Sequence, residues 1–301
     1  MSLQYGTFQA ALAARRTDLA DYVELTKPGV TGLILFSTLV GFYLGSTQEL
    51  HLLLLVHTLL GTALVAGGTA ALNQVWEREA DGKMWRTRNR PLPAGRLSPV
   101  RALCFGVTLS VAGVLYLGWK TNWLSALLAL LTLASYLFLY TPLKTRTPLC
   151  TLVGAFPGAI PPLIGWVAVR GEITLTAWVL YGILFFWQFP HFLSIAWLYR
   201  DDYARASIAM LPVVEPDGHS TSRQILFYCA ALLPLSLVPT WLGVTGTIYF
   251  IGTLILGIGF LYFAVRMGLA KSKMEARRLL QASVIYLPLV YGLMLLDKIA
   301  P

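Results

Sequence analysis

Long apolar stretches separated by short polar segments dominate this chain. A helix needs roughly 17–25 mostly apolar residues to cross the hydrocarbon core of a membrane, and nine stretches approach or reach that length. These stretches cover residues 30–46, 51–72, 101–119, 124–141, 149–169, 174–196, 225–243, 246–266 and 279–296. Prolines inside several of them are tolerated because neighbouring helices satisfy the freed backbone groups. The pattern predicts an all-α, polytopic membrane protein with nine transmembrane helices.

The composition agrees with a membrane protein. Of the 301 residues, 56% are hydrophobic and only 12% are charged, whereas soluble domains carry roughly 25% charged residues. These values exclude a soluble globular enzyme, a disordered chain and a secreted disulfide scaffold. Three cysteines (Cys104, Cys150 and Cys229) lie in apolar sequence without the spacing of metal ligands, and we assign them no chemistry.

The positions of lysine and arginine predict the orientation. With nine spans, 20 of the 23 basic residues, including Arg15 and Arg16, fall on one side, and the exceptions are Lys120, Arg170 and Lys298. Basic loops stay in the cytoplasm, so the N-terminus is predicted to be cytoplasmic. We expect a cytoplasmic segment (1–29) and a single nine-helix membrane domain (30–301), multi-pass in the inner (cytoplasmic) membrane. This distribution explains the net charge of +9 without a nucleic-acid partner.

Most of the remaining polar residues fall in two loops, 73–100 and 197–224, on the predicted cytoplasmic side. They follow the second and sixth spans, which run in the same direction because three spans lie between them. This arrangement indicates a parallel internal repeat, and the interface between such repeats often holds a substrate site.

The first loop begins with three oxygen-bearing side chains, Asn73, Glu77 and Asp81, which we call the polar column. Their spacing of i, i+4 and i+8 places them on one face of a helix that continues the second span. Like charges stacked in this way are unfavourable without a cation. Amide and carboxylate oxygens suit Mg²⁺, which binds one or two carboxylates and completes its shell with water and phosphate oxygens. We predict that the polar column is a catalytic magnesium site.

A basic run follows the polar column within ten residues and contains Lys83, Arg86, Arg88 and Arg90. A polyanion bound together with a metal requires two kinds of side chain next to each other. Carboxylates hold the Mg²⁺, and guanidinium groups bind the phosphate oxygens. For each arginine taken singly, a solvated salt-bridge network at the helix end is an open alternative.

The spacing Asn-x₃-Glu-x₃-Asp, followed by Arg86-Thr-Arg-Asn-Arg-Pro-Leu92, resembles the first aspartate-rich motif of the UbiA-type intramembrane prenyltransferases. More narrowly it resembles the protoheme IX farnesyltransferase (heme O synthase) branch. That branch usually has Asn-x₃-Asp-x₃-Asp, so Glu77 is a conservative departure that has a longer side chain. Further segments that resemble this branch are 25–30, 140–147, 158–166, 187–192 and 199–214.

The second loop departs from the wider superfamily, whose quinone-type members carry Asp-x₃-Asp there. Tyr199 and Tyr203 occupy that spacing here, and the acidic residues are Asp201 and Asp202. Adjacent helical positions diverge by about 100°, so one carboxylate faces the site. Asp202 matches the family position and is predicted to be a further catalytic and metal-binding residue. Asp201 is expected to cap the helix or to pair with Arg200 or Arg205, and one Mg²⁺ or an asymmetric pair is expected.

The resemblance implies transfer of a farnesyl group from farnesyl diphosphate to a vinyl group of protoheme IX (heme b). Addition of water then gives heme O and diphosphate. It further implies handover of the product to heme A synthase or a terminal oxidase. The residues expected to bind the diphosphate or the heme propionates, which the sequence does not divide between the two anions, are Lys27, Lys83, Arg86, Arg88, Arg90, Lys144 and Arg146.

His191 lies deep in a predicted span near the second loop. An ionisable residue inside the membrane is a candidate functional residue, and His191 could ligate heme iron or hydrogen-bond a substrate. A histidine satisfied by a backbone carbonyl that Pro190 frees is an equally open alternative. Aromatic faces can stabilise a farnesyl cation; the candidates for such a wall are Trp76, Tyr136, Tyr140, Trp166 and Trp187.

Three other functions remain open. The first is a UbiA-type prenyltransferase acting on a quinone or chlorophyll precursor, which the second loop disfavours. The second is a secondary transporter, although the acidic residues cluster at one membrane face and not at the midplane, where transport sites usually lie. The third is a non-catalytic heme-carrying assembly protein, which would need His191 but not the polar column.

Overall fold

The computed structural model describes residues 18–47 and 50–299. The first 17 residues of the predicted N-terminal segment, with Arg15 and Arg16, lie outside the described residues. The described residues form helices joined by short loops. The β pairing among the described residues is a single isolated bridge between Thr245 and Lys298. The prediction of an all-α chain is therefore confirmed for the described part.

The described helices follow the predicted spans. They are α1 (Asp18–Leu25), α2 (Pro28–Gly45), α3 (Leu52–Lys83), α4 (Pro99–Lys120), α5 (Trp123–Ser135), a π-helical turn (Tyr136–Tyr140), α6 (Thr141–Leu143), α7 (Cys150–Gly158), α8 (Pro161–Arg170), α9 (Leu175–Leu198), α10 (Arg200–Arg205), α11 (Leu211–Val214), α12 (His219–Trp241), α13 (Thr247–Ala270) and α14 (Lys273–Leu296). Nine segments of the described chain are long and apolar enough to cross a membrane, with α5 to α6 and α7 to α8 each forming one of them. The predicted number of spans is confirmed.

Several spans differ from the predicted bounds at their polar ends. α12 begins at His219 and α14 at Lys273, each six residues before the predicted start. Both begin with a polar turn, and in α14 the Ser272 hydroxyl caps the helix by accepting a hydrogen bond from the backbone of Glu275. The helices continue beyond their apolar parts because hydrogen bonding and capping, which need no apolar residues, extend them.

Small residues allow close contact between the spans. A Cβ atom added to Gly41 in α2 would lie 2.0 Å from the backbone oxygen of Pro162 in α8, and one added to Gly165 would lie 1.9 Å from that of Thr38. Glycine at these positions therefore lets two helix backbones touch, as is common between membrane helices.

The ends of the first and last spans meet at one face of the bundle. Lys298 donates hydrogen bonds to the backbone oxygens of Tyr43 (2.7 Å) and Ser46 (2.5 Å), which satisfies carbonyls that the end of α2 leaves without partners. The loops that carry the polar column and Asp202 lie at the other ends of their spans. The polar residues of the two halves are thus gathered at one face.

The short helix α1 is attached to the polar loop that follows α3. Arg96 bonds to Asp21 (2.8 Å) and to Glu24 (3.0 Å), and donates to the backbone oxygen of Asn89 (2.7 Å). These contacts hold the segment that precedes Lys27 against the loop that follows Asp81.

Candidate functional site

The polar column forms on the C-terminal part of α3 as its spacing predicts. Asn73 and Asp81 are buried, with 0% and 1% of their surfaces exposed, and the Glu77 side chain is 15% exposed. Glu79, on another face of the same helix, has 83% of its side chain exposed. Buried charges require partners, and each member of the column has one.

Asn73 is held between two segments that are distant in sequence. Its Nδ2 donates to the Thr141 hydroxyl (3.2 Å), and its Oδ1 accepts from Lys27 Nζ (3.2 Å). Lys27 precedes α2 in a left-handed backbone conformation (φ 49°), which residues other than glycine seldom adopt. Thr141 follows the π-helical turn 136–140, a feature often found at functional sites. No local pattern in the sequence marks Thr141 as a site residue.

Glu77 pairs with Lys144 at 2.6 Å. The Lys144 ammonium also lies 4.4 Å from the ring centre of Tyr140 and 5.9 Å from that of Tyr136, within the range of cation–π attraction. Burial opposes the charge on Lys144, but Tyr140 and the Glu77 carboxylate more than offset it and hold the pKa of the amine well above its usual range. Lys144 therefore stays charged, with the two aromatic rings beside it.

Asp81 pairs with Arg90, whose Nη1 lies 2.7 Å from Asp81 Oδ2. The loop turns back because the Thr87 hydroxyl donates to the backbone oxygen of Asp81 (2.9 Å).

Burial and the nearby Arg90 lower the pKa of Lys27 to about 8. We call Lys27, Arg90 and Lys144 the basic cluster. Its three cations face two carboxylates, an excess of positive charge that favours an anionic ligand.

The second loop contacts the first through Arg86. Its backbone N–H donates to Asp202 Oδ2 (3.3 Å) and its guanidinium donates to the Tyr203 hydroxyl (3.2 Å). Asp202 is buried and also pairs with Arg205. A cavity of about 530 Å³ lies beside this contact, lined by Trp85, Arg86, Leu198, Tyr199, Asp201, Asp202 and Arg205.

Asp201 lies outside this contact. Its side chain is 63% exposed and bonds to Lys273 (2.8 Å), with Arg200 at 3.9 Å. Hydrogen bonding to the Lys273 ammonium lowers the pKa of Asp201. Of the two expected partners, Arg200 is confirmed. Arg205 instead pairs with Asp202, and Lys273 from the start of α14 is a second partner of Asp201.

The seven predicted anion-binding residues separate into two groups. Lys83, Arg88 and Arg146 are exposed, and the Arg88 guanidinium lies 3.8 Å from the ring centre of Trp85. Lys27, Arg90 and Lys144 each contact a residue of the polar column. Arg86 is also exposed, but it contacts Asp202 and Tyr203 of the second loop.

His191 lies in α9 with its ring stacked on Trp187, at 4.7 Å between ring centres and 21° between planes. Its Nδ1 lies 2.8 Å from the Ser283 hydroxyl, so the alternative in which a freed backbone carbonyl satisfies this ring is wrong. Trp166 packs against Gly45 at the opposite end of the bundle, and Trp76 is 53% exposed. The expected aromatic wall therefore excludes these two tryptophans.

The oxygen donors fit a Mg²⁺ ion that arrives with its own anionic ligands. Within the described residues, no group of three or more histidine, cysteine, aspartate and glutamate side chains could hold a metal alone. Mg²⁺ needs only one or two protein carboxylates when phosphate oxygens supply other positions. Glu77 and Asp81 offer two carboxylates with several lone pairs each, and Lys144 and Arg90 contact one oxygen of each.

Comparisons with known proteins identify the family of this chain. Residues 34–287 match the UbiA prenyltransferase family. The chain is 56% identical over 289 residues to the protoheme IX farnesyltransferase of Solibacter usitatus (strain Ellin6076), with 93% of this chain and 99% of the relative covered. It is 51% identical over 290 residues to that of Koribacter versatilis (strain Ellin345), with 93% and 94% covered.

Two solved structures share the fold. A UbiA homolog from Archaeoglobus fulgidus bound to GPP and Mg²⁺ has a TM-score of 0.63 at 15% identity, with 91% of this chain and 99% of that chain covered. A digeranylgeranylglyceryl phosphate synthase has a TM-score of 0.78 at 19% identity, with 93% and 98% covered. The chain belongs to the UbiA prenyltransferase family.

Proposed function

We propose that this protein transfers the farnesyl group of farnesyl diphosphate to a vinyl group of protoheme IX, with addition of water, to give heme O and diphosphate. The observation that carries the proposal is the buried pairing of the polar column with the basic cluster. It offers carboxylates for Mg²⁺ and cations for diphosphate at one place. The names of relatives that are 56% and 51% identical support farnesyl as the donor group and heme as the acceptor.

The residues that would hold Mg²⁺ are Asn73, Glu77 and Asp81, with Asp202 from the second loop. When bound there, Mg²⁺ offsets the negative charge that develops on the leaving diphosphate. The relative bound to GPP and Mg²⁺ supports this assignment.

The basic cluster binds the diphosphate oxygens. Its cations are held in place before the substrate arrives, by hydrogen bonds to the polar column at 2.6–3.2 Å. Charges fixed in this way stabilise the leaving group without reorganising during the reaction. Tyr136 and Tyr140, beside Lys144, present aromatic faces to the allylic cation and shield it from water.

Arg86 and Arg205 line the cavity beside Asp202 and are placed to bind the heme propionates, because guanidinium groups pair well with carboxylates. His191, deeper along α9, is the residue we assign to the heme iron. Tyr199 and Tyr203 occupy the positions of the second Asp-x₃-Asp pair, which distinguishes this site from that of quinone-type enzymes.

We propose that the face of the bundle that carries the polar column is cytoplasmic, because the basic loops lie on that face. We propose further that the protein lies in the cytoplasmic (inner) membrane. Residues 1–29 form the cytoplasmic segment and 30–301 a single membrane domain. The farnesyl chain anchors heme O in the membrane, so we infer that it passes within the membrane to an enzyme that uses it, such as heme A synthase or a terminal oxidase.

Product analysis tests the proposed reaction. The purified protein is incubated with protoheme IX, farnesyl diphosphate and Mg²⁺, with a parallel sample in EDTA, and the hemes are analysed by mass spectrometry. We expect a heme heavier by one farnesyl group and one hydroxyl group only when Mg²⁺ is present. The variants Asp81→Ala and Asp202→Ala should insert into the membrane but give no product.

Two results would overturn the proposal. Heme that binds but stays unmodified would indicate a heme carrier. Prenylation of another aromatic acceptor, with heme ignored, would retain the family chemistry and refute heme as the acceptor.

A further inference from the structure

Two side chains of α9, one turn apart, are attached to the same residue of α14. Trp187 Nε1 donates to the backbone oxygen of Ser283 (2.9 Å), and His191 Nδ1 lies 2.8 Å from the Ser283 hydroxyl. Ser283 is fully buried. Because Trp187 also stacks on the imidazole, both the position and the plane of the His191 ring are fixed.

The hydrogen bonds of Ser283 determine which ring nitrogen of His191 carries the hydrogen. The Ser283 hydroxyl lies 2.6 Å from the backbone oxygen of Leu280, and a hydroxyl has one hydrogen to donate. If it donates to Leu280 and accepts from Nδ1–H of His191, both hydrogens are bonded. If it instead donates to Nδ1, the imidazole hydrogen lies on Nε2 and has no partner. The first arrangement makes one more hydrogen bond in a buried place, so His191 carries its hydrogen on Nδ1.

The other nitrogen, Nε2, is thus left with its lone pair available. It makes no hydrogen bond to any residue that the structure describes, it is not among the fully buried polar atoms, and the ring is partly exposed. Hydrogen bonds from Tyr199 to Ile195 and from Tyr203 to Tyr199 continue the helical pattern from α9 into α10. His191 and Asp202 are eleven residues apart on these two consecutive helices, which meet at Tyr199 (φ −108°, ψ 22°).

We propose that Ser283 is a positioning residue, which holds His191 in the Nδ1–H tautomer so that Nε2 is the axial ligand of the heme iron. This inference rests on heme being the substrate, as proposed above. A neutral imidazole is a common metal ligand, and the group that accepts its other N–H sets the orientation of the ring and strengthens the ligand. No motif marks Ser283, which is 92 residues from His191.

Heme titration of the full-length protein in detergent tests the inference. Ferric heme is added and its absorbance spectrum is followed. We expect the spectrum of a nitrogen-ligated heme in the parent protein and its loss in His191→Ala. Ser283→Ala should weaken this ligation by about 10–100-fold, the usual effect of losing such a partner. Ser283→Thr keeps a hydroxyl and should restore it.

Ser236→Ala is the matched control. Ser236 is also fully buried, and its hydroxyl bonds to that of Tyr286 on α14 (2.9 Å). This variant loses a buried hydrogen bond of the same helix and should leave the heme spectrum unchanged. If it weakens ligation as much as Ser283→Ala, or if Ser283→Ala behaves as the parent protein does, the inference is wrong.

A second measurement leaves Ser283 intact. In His191→Gly, added imidazole can bind iron through one nitrogen and donate its N–H to Ser283, whereas 1-methylimidazole has no N–H to donate. We expect imidazole to restore the spectrum at a concentration at least ten-fold lower, about the effect of losing one such partner. Equal rescue by both compounds would overturn the role of Ser283. A parent protein without a spectrum that depends on His191 would also overturn it, although farnesylation of heme could still be detected by product analysis.

Discussion

Replacing Glu77 with glutamine tests whether the polar column holds a metal or only neutralises the basic cluster. Glutamine keeps the shape of the side chain and an oxygen that can accept a hydrogen bond from Lys144. It removes one negative charge from a place where the side chains of Glu77 and Lys144 are only 15% and 11% exposed.

The size of the effect follows from the geometry of this ion pair. Two unit charges about 4 Å apart attract by about 4 kcal/mol at an effective dielectric constant of about 20. A hydrogen bond to one charged group is worth about 1.5–3 kcal/mol, and the glutamine oxygen keeps it. The difference is about 1–2.5 kcal/mol. A divalent metal held by the same carboxylate is expected to lose at least as much, which corresponds to about 5–70-fold in affinity.

Two measurements separate the two roles of Glu77. Initial rates of heme farnesylation at varied Mg²⁺ should show a half-saturating concentration that is about 5–70-fold higher in Glu77→Gln. Binding of farnesyl diphosphate in EDTA should not weaken, because the variant has an even larger excess of positive charge around the site. Glu79→Gln is the control, because it removes the same charge from an exposed position of the same helix.

The opposite pattern would refute the reasoning. If Glu77→Gln needs no more Mg²⁺ but binds farnesyl diphosphate more weakly, then Glu77 only orients Lys144 and the metal assignment is wrong. An equal effect of Glu79→Gln would show that the charge of α3 as a whole is responsible.

Three further predictions follow from the surroundings of the site. Lys144→Ala should weaken binding of farnesyl diphosphate at least ten-fold in an equilibrium binding assay, because it removes a buried charge. Arg146→Ala removes an exposed charge and should change the affinity less than two-fold. Because the pKa of Lys27 is about 8 and only its protonated form attracts an anion, affinity for farnesyl diphosphate should fall as the pH rises through 8. Lys27→Arg should abolish that fall, since arginine stays charged. In Gly165→Ala the added Cβ atom would lie 1.9 Å from the backbone oxygen of Thr38. This variant should be destabilised by about 1–3 kcal/mol or more, which lowers its thermal midpoint. In the control Gly29→Ala the added Cβ atom has no neighbour within 4 Å, so the midpoint should not fall.

The number of membrane spans could be predicted from the sequence because membrane thickness fixes how long an apolar stretch must be. The ends of the spans could not, because hydrogen bonding and caps extend a helix beyond its apolar part. α12 and α14 each begin six residues earlier than their apolar residues indicate, because a count of apolar residues takes no account of caps such as that of Ser272 at the start of α14.

The polar column could be predicted because its residues share one helix, where spacing alone determines the face. Its partners could not, because they come from other segments. Lys27 and Lys144 are 46 and 67 residues from the column residues that they contact. The sequence left Lys144 and Arg146 both as candidates, and only the fold places one beside Glu77 and exposes the other. Thr141 and Ser283 were missed for the same reason.

The pairing of the polar column with the basic cluster has a consequence for how the two ligands bind. Each carboxylate of the column is now neutralised by a cation of the cluster, so the carboxylates would have to give up that attraction in order to hold a metal alone. The cations would likewise have to leave the carboxylates in order to hold a diphosphate alone. When both ligands arrive, the carboxylates exchange cations for metal and the cations exchange carboxylates for phosphate, and no buried charge is left unpaired. The site is therefore expected to bind metal and diphosphate with positive coupling, and that coupling is reciprocal. A carboxylate with its own cation is thus a means of requiring both ligands before the reaction begins.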